Sequence, residues 1–465
     1  MPLRRVRGLL VAPSFIAAVA LVLRLGNLLL HRLYRIPPDL DHLYFGMEMG
    51  RMARSVVTGH GFGAVFAPDA GPTAWVGPVY PLLLAGIFKI FGVYTNASGF
   101  VILAINSIFS AATCVTIYRI GEQTLGRATA IISAWTWAAL PYAIYWPTHH
   151  VWETSLSAFL LTAAFLLTLK LTRTPGRGVW ISYGLLWGLI ALTNAALLSF
   201  LGVSILWLLA REHSARMALI SRSIVAVVSS LLVVSPWIIR NYHVFGQFVF
   251  PRSDFGVELY LENHDGGSRA IVLYHPLWDG GERERYRQLG EIGYVRERGQ
   301  LAKAFIRTHP LLFLKKSAQR AAFFWITAPE EARVLGKLAP RVRQTILGVI
   351  TLLCFTGLFV AIRRSRPGAF LYLGLLVLFP LVYYFTHTES RYYHPLSPLV
   401  LLLAVYAIVS LAARVHERRI VWSRIQSRDA GPETKTTSRL AASGTKAFPS
   451  LVWNASELAC DLACR

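Results

Sequence analysis

Acidic residues are scarce in this chain. It has 24 Asp and Glu against 47 Lys and Arg among 465 residues, and only 15% of the whole is charged. A soluble domain carries about 25% charged residues, so the composition speaks against an ordinary soluble fold. Cysteine is scarce too, at four. Cys114 and Cys354 fall inside apolar runs as packing residues. Cys460 and Cys464 sit near the end at a C-x3-C spacing, two short of the usual four-ligand metal set. No P-loop, H-E-x-x-H or G-x-S-x-G occurs in a suitable context. The net charge of +23 raises the question of nucleic acid. Its arginines are spread over short loops, however, and no basic stripe with interleaved aromatics lies outside the apolar runs. A polytopic membrane protein accumulates such charge on its cytoplasmic side, and no nucleic-acid partner is expected.

Apolar residues dominate instead, at 54% with a mean hydropathy of +0.47. Runs of about 20 residues, each long enough to cross a bilayer as a helix, recur roughly at 8–30, 76–94, 98–118, 128–146, 151–171, 180–210, 217–239, 343–362, 367–386 and 395–413. The expected fold is an all-α polytopic membrane protein. The first run has the basic flank and apolar core of a signal peptide but no small-x-small site after it, so it reads as a retained first helix. The run 180–210 is too long for one straight span, and Thr193-Asn194 breaks it.

Two polar stretches interrupt the pattern, 32–75 and 240–342, the second far longer than an ordinary connection. Basic clusters at Arg4/Arg5/Arg7, Arg211/Arg216/Arg222, Arg363/Arg364/Arg366 and beyond Arg414 mark the cytoplasmic face. Both polar stretches then lie outside, given seven crossings before residue 240. Arg119/Arg127 and Lys170/Arg173/Arg177 run against that charge rule. Residues 300–327 mix basic and apolar positions at helical spacing and read as an interfacial helix. The division expected is a membrane module over 1–413 and a basic, disordered cytoplasmic tail over 414–465. The Asn454-Ala455-Ser456 sequon in that tail would go unused.

In so acid-poor a chain the placement of carboxylates is informative. The stretch "PPDLDHLYFGMEMGRMARSVVTGHGFG" at 37–63 holds Asp39, Asp41 and Glu48 directly after the first span. From Leu43 to Val57 apolar residues recur at helical steps (Met49, Met52, Ala53, Val56), which predicts an amphipathic helix along the membrane surface. Asp39 or Asp41 either caps that helix or offers a carboxylate close to lipid headgroups. In "YWPTHHVWETS" at 145–155, Glu153 opens a long apolar run, an expensive place for an ionisable group and a functional pointer. His149, His150 and Glu153 are either part of a divalent metal site or interfacial polar residues between Trp146 and Trp152. Arg240, in "SPWIIRNYHVFG", and Arg391, in "ESRYYHPLSPLVLLLA", stand at span ends. Each either grips a phosphate with two prongs or snorkels to the interface.

The order of these loose motifs resembles the polyprenyl-phosphate-dependent glycosyltransferases of the GT-C superfamily, particularly glycosyltransferase family 39, with its protein O-mannosyltransferase and aminoarabinose transferase relatives. The resemblance runs from about residue 10 to 413. It is carried by the Asp before a helix ending "GHGF", then "GPTAWVGPVYPLLLAGIFKIFG", "ALPYAIYWPTHHVWETSLSAFLL", "GLLWGLIALTNAALL", "SPWIIRNYHVFG" and "ESRYYHPLSPLVLLLA". It implies a GT-C-type transmembrane helix bundle in the cell membrane, with its active site on the outer, periplasmic face and two large loops over it. It also implies an outer-loop Asp as base, near an acidic neighbour and a Tyr. Here "DLDHLY" supplies Asp41-His42 with Tyr44, a partial match. Asp41 is the favoured base, with Asp39 second and Glu48 third. Glu153 matches the acidic residue of the later helix, and Arg240 and Arg391 match recurrent arginines. Some relatives use a divalent metal and others none, so the cofactor stays open.

The implied reaction takes a sugar from a polyprenyl-phosphate-linked donor to an acceptor hydroxyl on a lipid, glycan or protein. A single displacement inverts the anomeric carbon, and no nucleotide sugar or Rossmann-like domain is needed. The alternatives are a polytopic transporter or lipid-linked sugar flippase, marked by repeats and mid-membrane ionisable groups, and an oligosaccharide polymerase or ligase.

Overall fold

Several helices begin at a proline or a side-chain cap, and several break where proline or asparagine interrupts the backbone ladder. The computed structural model describes residues 8–172, 176–211, 216–264, 275–328 and 339–429. Arg4, Arg5, Arg7, Arg173, Asn454, Cys460 and Cys464 lie outside the described residues. The structure is all-helical apart from a single Gly63–Pro72 bridge among the described residues.

The chain runs α1 (Pro13–Leu30), α2 (Glu48–Val57), α3 (Val79–Phe91), α4 (Asn96–Thr124), α5 (Arg127–Ala139), α6 (Pro141–His149), α7 (Thr154–Leu171) and α8 (Arg177–Thr193). It continues through α9 (Leu198–Arg211), α10 (Arg216–Phe245), α11 (Phe255–Tyr260), α12 (Gly280–Thr308) and α13 (Pro310–Ile326). It ends with α14 (Pro340–Arg363), α15 (Ala369–Leu378), α16 (Leu381–Phe385) and α17 (Ser397–Asp429). Among the described residues six helices are long and apolar enough to cross a membrane: α1, α4, α7, α14 and the apolar parts of α10 and α17. The protein is therefore a polytopic membrane protein.

Several expected runs are divided. The run 128–146 breaks at Leu140, because Pro141 has no N–H to continue α5. The run 180–210 breaks at Asn194, whose Oδ1 instead accepts the Ala196 N–H at 3.2 Å. The run 367–386 breaks at Pro380. Pro310 splits the expected helix 300–327 between α12 and α13. At the other end α17 continues past residue 413 to Asp429, so the first part of the expected disordered tail is helical.

Arg24 shows how one break is held. It is 0% exposed. Its guanidinium donates to the carbonyls of Trp137 (3.0 Å), Ala138 (3.1 Å), Ala143 (3.1 Å) and Ala20 (2.9 Å), and its Nε to Ser110 Oγ (3.0 Å). The Trp137 carbonyl would ordinarily accept from residue 141, which is proline, so Arg24 supplies the missing donor. In hydrocarbon such orphans are costly. Arg24→Met strands the Trp137 and Ala138 carbonyls at about 1–3 kcal/mol each. The expected result is a clear fall in the thermal midpoint of detergent-solubilised protein, with Arg24→Lys recovering part of it.

The two polar stretches pack on each other. Arg240, near the end of α10, donates to the Thr73 carbonyl (2.8 Å) and the Phe62 carbonyl (2.9 Å). Glu291, buried in α12, accepts from the Thr73 hydroxyl, the Ala74 N–H (2.7 Å), Ser253 Oγ (2.7 Å) and the Tyr286 hydroxyl (2.9 Å). Arg287 pairs with Asp69 at 2.9 Å. These contacts seat residues 73–77 against 250–254 and form one wall of a cavity.

Candidate active site

That cavity has a volume of about 430 Å³ and gathers its polar side chains from six separate segments. Glu48 comes from the start of α2, Glu153 from the start of α7, and Thr193 and Asn194 from the broken end of α8. Arg252, Asp254 and Glu258 come from the stretch into α11, and His387, Glu389 and Arg391 from the turn before α17. His275 and Trp278 complete it.

Local backbone geometry aims Glu48. Met47, just before it, has φ 52° and ψ −126°, a conformation that costs a β-unbranched side chain roughly 1–3 kcal/mol. The chain doubles back so tightly that a Cβ on Gly50 would meet the Phe45 carbonyl oxygen at 2.1 Å. Met49, Met52 and Ala53 are buried as the periodicity predicts, but α2 starts at Glu48 rather than Leu43. Neither Asp39 nor Asp41 caps it: the N-cap is Met47, with no side-chain bond. Gly77 allows a second close approach, since a Cβ there would meet the Leu192 carbonyl at 2.2 Å.

Across the cavity Arg391 lies 2.6 Å from Glu389 and over the rings of Trp152 (5.3 Å) and Tyr392 (5.1 Å). Burial opposes its charge, but Glu389, Tyr392, Glu48 and Glu153 more than restore it and push its pKa well above the ordinary value. His387 is held between Glu258, 3.0 Å from Nδ1, and Tyr392, whose hydroxyl is 2.8 Å from Nε2. Burial pulls its pKa down, but Glu258 and Glu389 outweigh burial and raise it to about 10. Glu258 and Glu389 in turn fall below the usual carboxylate range, because His387 and Arg391 outweigh their burial. Arg252 donates to the Trp75 carbonyl at 3.1 Å and pairs with Asp254. Burial and the neighbouring Glu258 push Asp254 up to about 8 against the pull of Arg252. Burial also raises Glu153, against the pull of Arg391.

The residues singled out from sequence divide clearly. Glu48, Glu153 and Arg391 line the cavity. Asp41 does not. Its side chain is 58% exposed and pairs with Arg54 (3.5 Å) and Arg51 (3.8 Å), in a turn where Leu40, Asp41 and His42 all have positive φ. Asp39 and Tyr44 are exposed. Arg240 spends its donors on backbone carbonyls, as described above. His149, exposed, stacks on Tyr145 (4.2 Å), and His150 stacks on Trp152 (4.4 Å); neither lines the cavity. His149, His150 and Glu153 do not converge as the sequence had suggested. Among the described residues no three His, Cys, Asp or Glu side chains converge on one point. Asp254 pairs with Arg252, Glu258 with His387 and Glu389 with Arg391.

Arg252, Asp254, Glu258, His275 and His387 carried no assignment from sequence. One signal was available: Asp254 and Glu258 are four residues apart, on one helical face, in a chain with few acids to spare.

A second, apolar cavity of about 460 Å³ is lined by Trp137, Tyr142, Trp146, Ile346, Ile350 and Tyr393, among others. The turn Ser390–Tyr393 separates the two. Arg391 and Tyr392 face the polar cavity, while Ser390 and Tyr393 face the apolar one.

Residues 75–239 match the family model described as dolichyl-phosphate-mannose-protein mannosyltransferase. No curated protein matches the chain. Among solved structures, the chain is similar to the Archaeoglobus fulgidus oligosaccharyltransferase tethered with an acceptor peptide, at 16% identity and TM-score 0.44, covering 80% of this chain and 46% of that one. It is also similar to the same enzyme in complex with Zn and sulfate, at 15% identity and TM-score 0.46, covering 90% and 51%. The chain thus spans about half the length of those proteins. A third likeness is to ArnT from Cupriavidus metallidurans in the apo state, at 12% identity and TM-score 0.35, covering 85% and 80%.

Proposed function

We propose that this protein is a membrane glycosyltransferase of the GT-C type. It would move a sugar from a polyprenyl-phosphate donor to an acceptor hydroxyl, with inversion, on the outer face of the cell membrane. One observation carries the reading: a carboxylate, Glu48, and a stacked arginine, Arg391, share one polar cavity, and a single turn separates that cavity from an apolar one. A lipid phosphate bearing a sugar needs this pairing of surfaces. Arg391 and Arg252 take the phosphate, and the apolar cavity takes hydrocarbon. Glu48 accepts the proton of the acceptor hydroxyl as its oxygen bonds to the anomeric carbon. The bond from that carbon to the phosphate oxygen breaks, and the arginines stabilise the leaving phosphate. Asp41, the base suggested by the family resemblance, pairs with Arg51 and Arg54 at the surface instead, so we assign the role to Glu48. Glu153 and Asn194 are positioned for hydroxyls of the sugar.

The test is a transfer assay with purified protein in detergent and a panel of defined polyprenyl-phosphate sugars. The expected result is release of polyprenyl phosphate together with a product of inverted configuration. Movement of the lipid-linked sugar across proteoliposomes without any transfer would overturn the reading in favour of a flippase.

A further inference from the structure

His275 is buried in the wall of the polar cavity, with Nε2 3.9 Å from Glu48 Oε1. Its other nitrogen is committed: Nδ1 accepts the backbone N–H of Leu277 at 3.2 Å. A nitrogen that accepts carries no proton, so the neutral ring bears its hydrogen on Nε2, the side facing Glu48. Burial holds the ring neutral by pushing its pKa down, against the pull of Glu48 and Glu258. The ring cannot turn freely. Phe66 and Trp75 meet it edge-to-face at 5.4 and 5.7 Å, and the His275 carbonyl accepts the N–H groups of Trp278 and Asp279 at 3.0 Å.

This geometry separates two possible roles. A histidine acting as base needs a free acceptor nitrogen toward the substrate, but the acceptor of His275 is occupied by backbone and points away. What it offers the cavity is a fixed donor. We infer that His275 is a positioning residue, whose Nε2–H orients the Glu48 carboxylate toward the acceptor hydroxyl. The inference rests on Glu48 being the base. The 3.9 Å separation is longer than a formed hydrogen bond, and such contacts commonly tighten when substrate fills the site. Other charges facing the pair are Glu258, His387 and Arg391 toward His275, and Arg391 and Glu153 toward Glu48. All belong to other segments and stay in place when His275 is replaced.

The experiment compares wild type, Glu48→Gln, His275→Phe and His275→Gln in the same transfer assay, reading kcat and donor KM. Thermal midpoints confirm folding. If the inference holds, Glu48→Gln is inactive. His275→Phe loses about tenfold in kcat with little change in donor KM. His275→Gln, which keeps an N–H donor, recovers most of that loss. If Glu48→Gln is inactive but His275→Phe keeps wild-type kcat, or His275→Gln recovers nothing, His275 is only packing; the inference falls and the proposed function stands. If Glu48→Gln is active, the base lies elsewhere, and both the assignment of Glu48 and the role of His275 fall.

Discussion

Glu48→Gln lowers turnover by about 10²–10⁴-fold, the usual contribution of a positioned proton-transfer group, while the donor still binds. The amide keeps the size of the side chain but cannot take a proton from the acceptor hydroxyl. Glu48 is only 13% exposed, and α2 starts at it, so its position depends on Met47 and Gly50 rather than on its own charge. The fold should therefore survive, with an unchanged thermal midpoint. Asp41→Asn is the matched control. Its carboxylate is exposed and paired only with Arg51 and Arg54, and exposed pairs are worth about 0–1 kcal/mol. Turnover in that variant should stay within a few-fold of wild type. Single-turnover rates with preloaded donor separate the chemical step from binding. If Asp41→Asn is inactive and Glu48→Gln active, the base is Asp41 and the cavity described here is not where transfer occurs.

The contrast between these two acids shows where sequence reading stops. Both lie in the same short stretch after the first span, and neither local composition nor distance from the membrane ranks one above the other. What separates them is local backbone geometry that composition does not reveal: a positive φ at Met47 and the close approach of Gly50 to the Phe45 carbonyl turn Glu48 into the cavity, while Asp41 stays exposed. Apolar length, by contrast, is a local property, and the spans of α1, α4, α7, α10, α14 and α17 followed from it. The break at Asn194 was legible because threonine and asparagine interrupt an overlong run. Those at Pro141 and Pro380 were equally legible, since each proline removes an N–H, but they fell inside runs short enough to pass as single helices. His387 offered no local signal at all. Its partner Glu258 is 129 positions away, and only packing of α11 against the turn before α17 brings them together.

Arg391→Ala is the other large effect expected, and it falls on binding rather than turnover. The guanidinium lies in the cavity wall between Glu389 and the faces of Trp152 and Tyr392. Removing one member of a buried charged contact costs about 2–5 kcal/mol, which corresponds to roughly 30- to 4000-fold in donor affinity. Arg391→Lys keeps the charge but loses the planar stack on Trp152 and the two-pronged grip, so it should fall between alanine and wild type. Arg240 provides the comparison, because the sequence offered it the same two roles. Its donors go to the Thr73 and Phe62 carbonyls, 167 and 178 positions away. Arg240→Ala should lower the thermal midpoint by loosening the wall that carries Trp75 and Arg252, and change donor affinity much less. Titration of each variant with a short-chain polyprenyl phosphate in detergent measures both quantities. The phosphate site moves to Arg240 if that variant alone loses affinity. If both variants bind as wild type does, neither arginine holds the phosphate, and Arg252 is left as the cation to test.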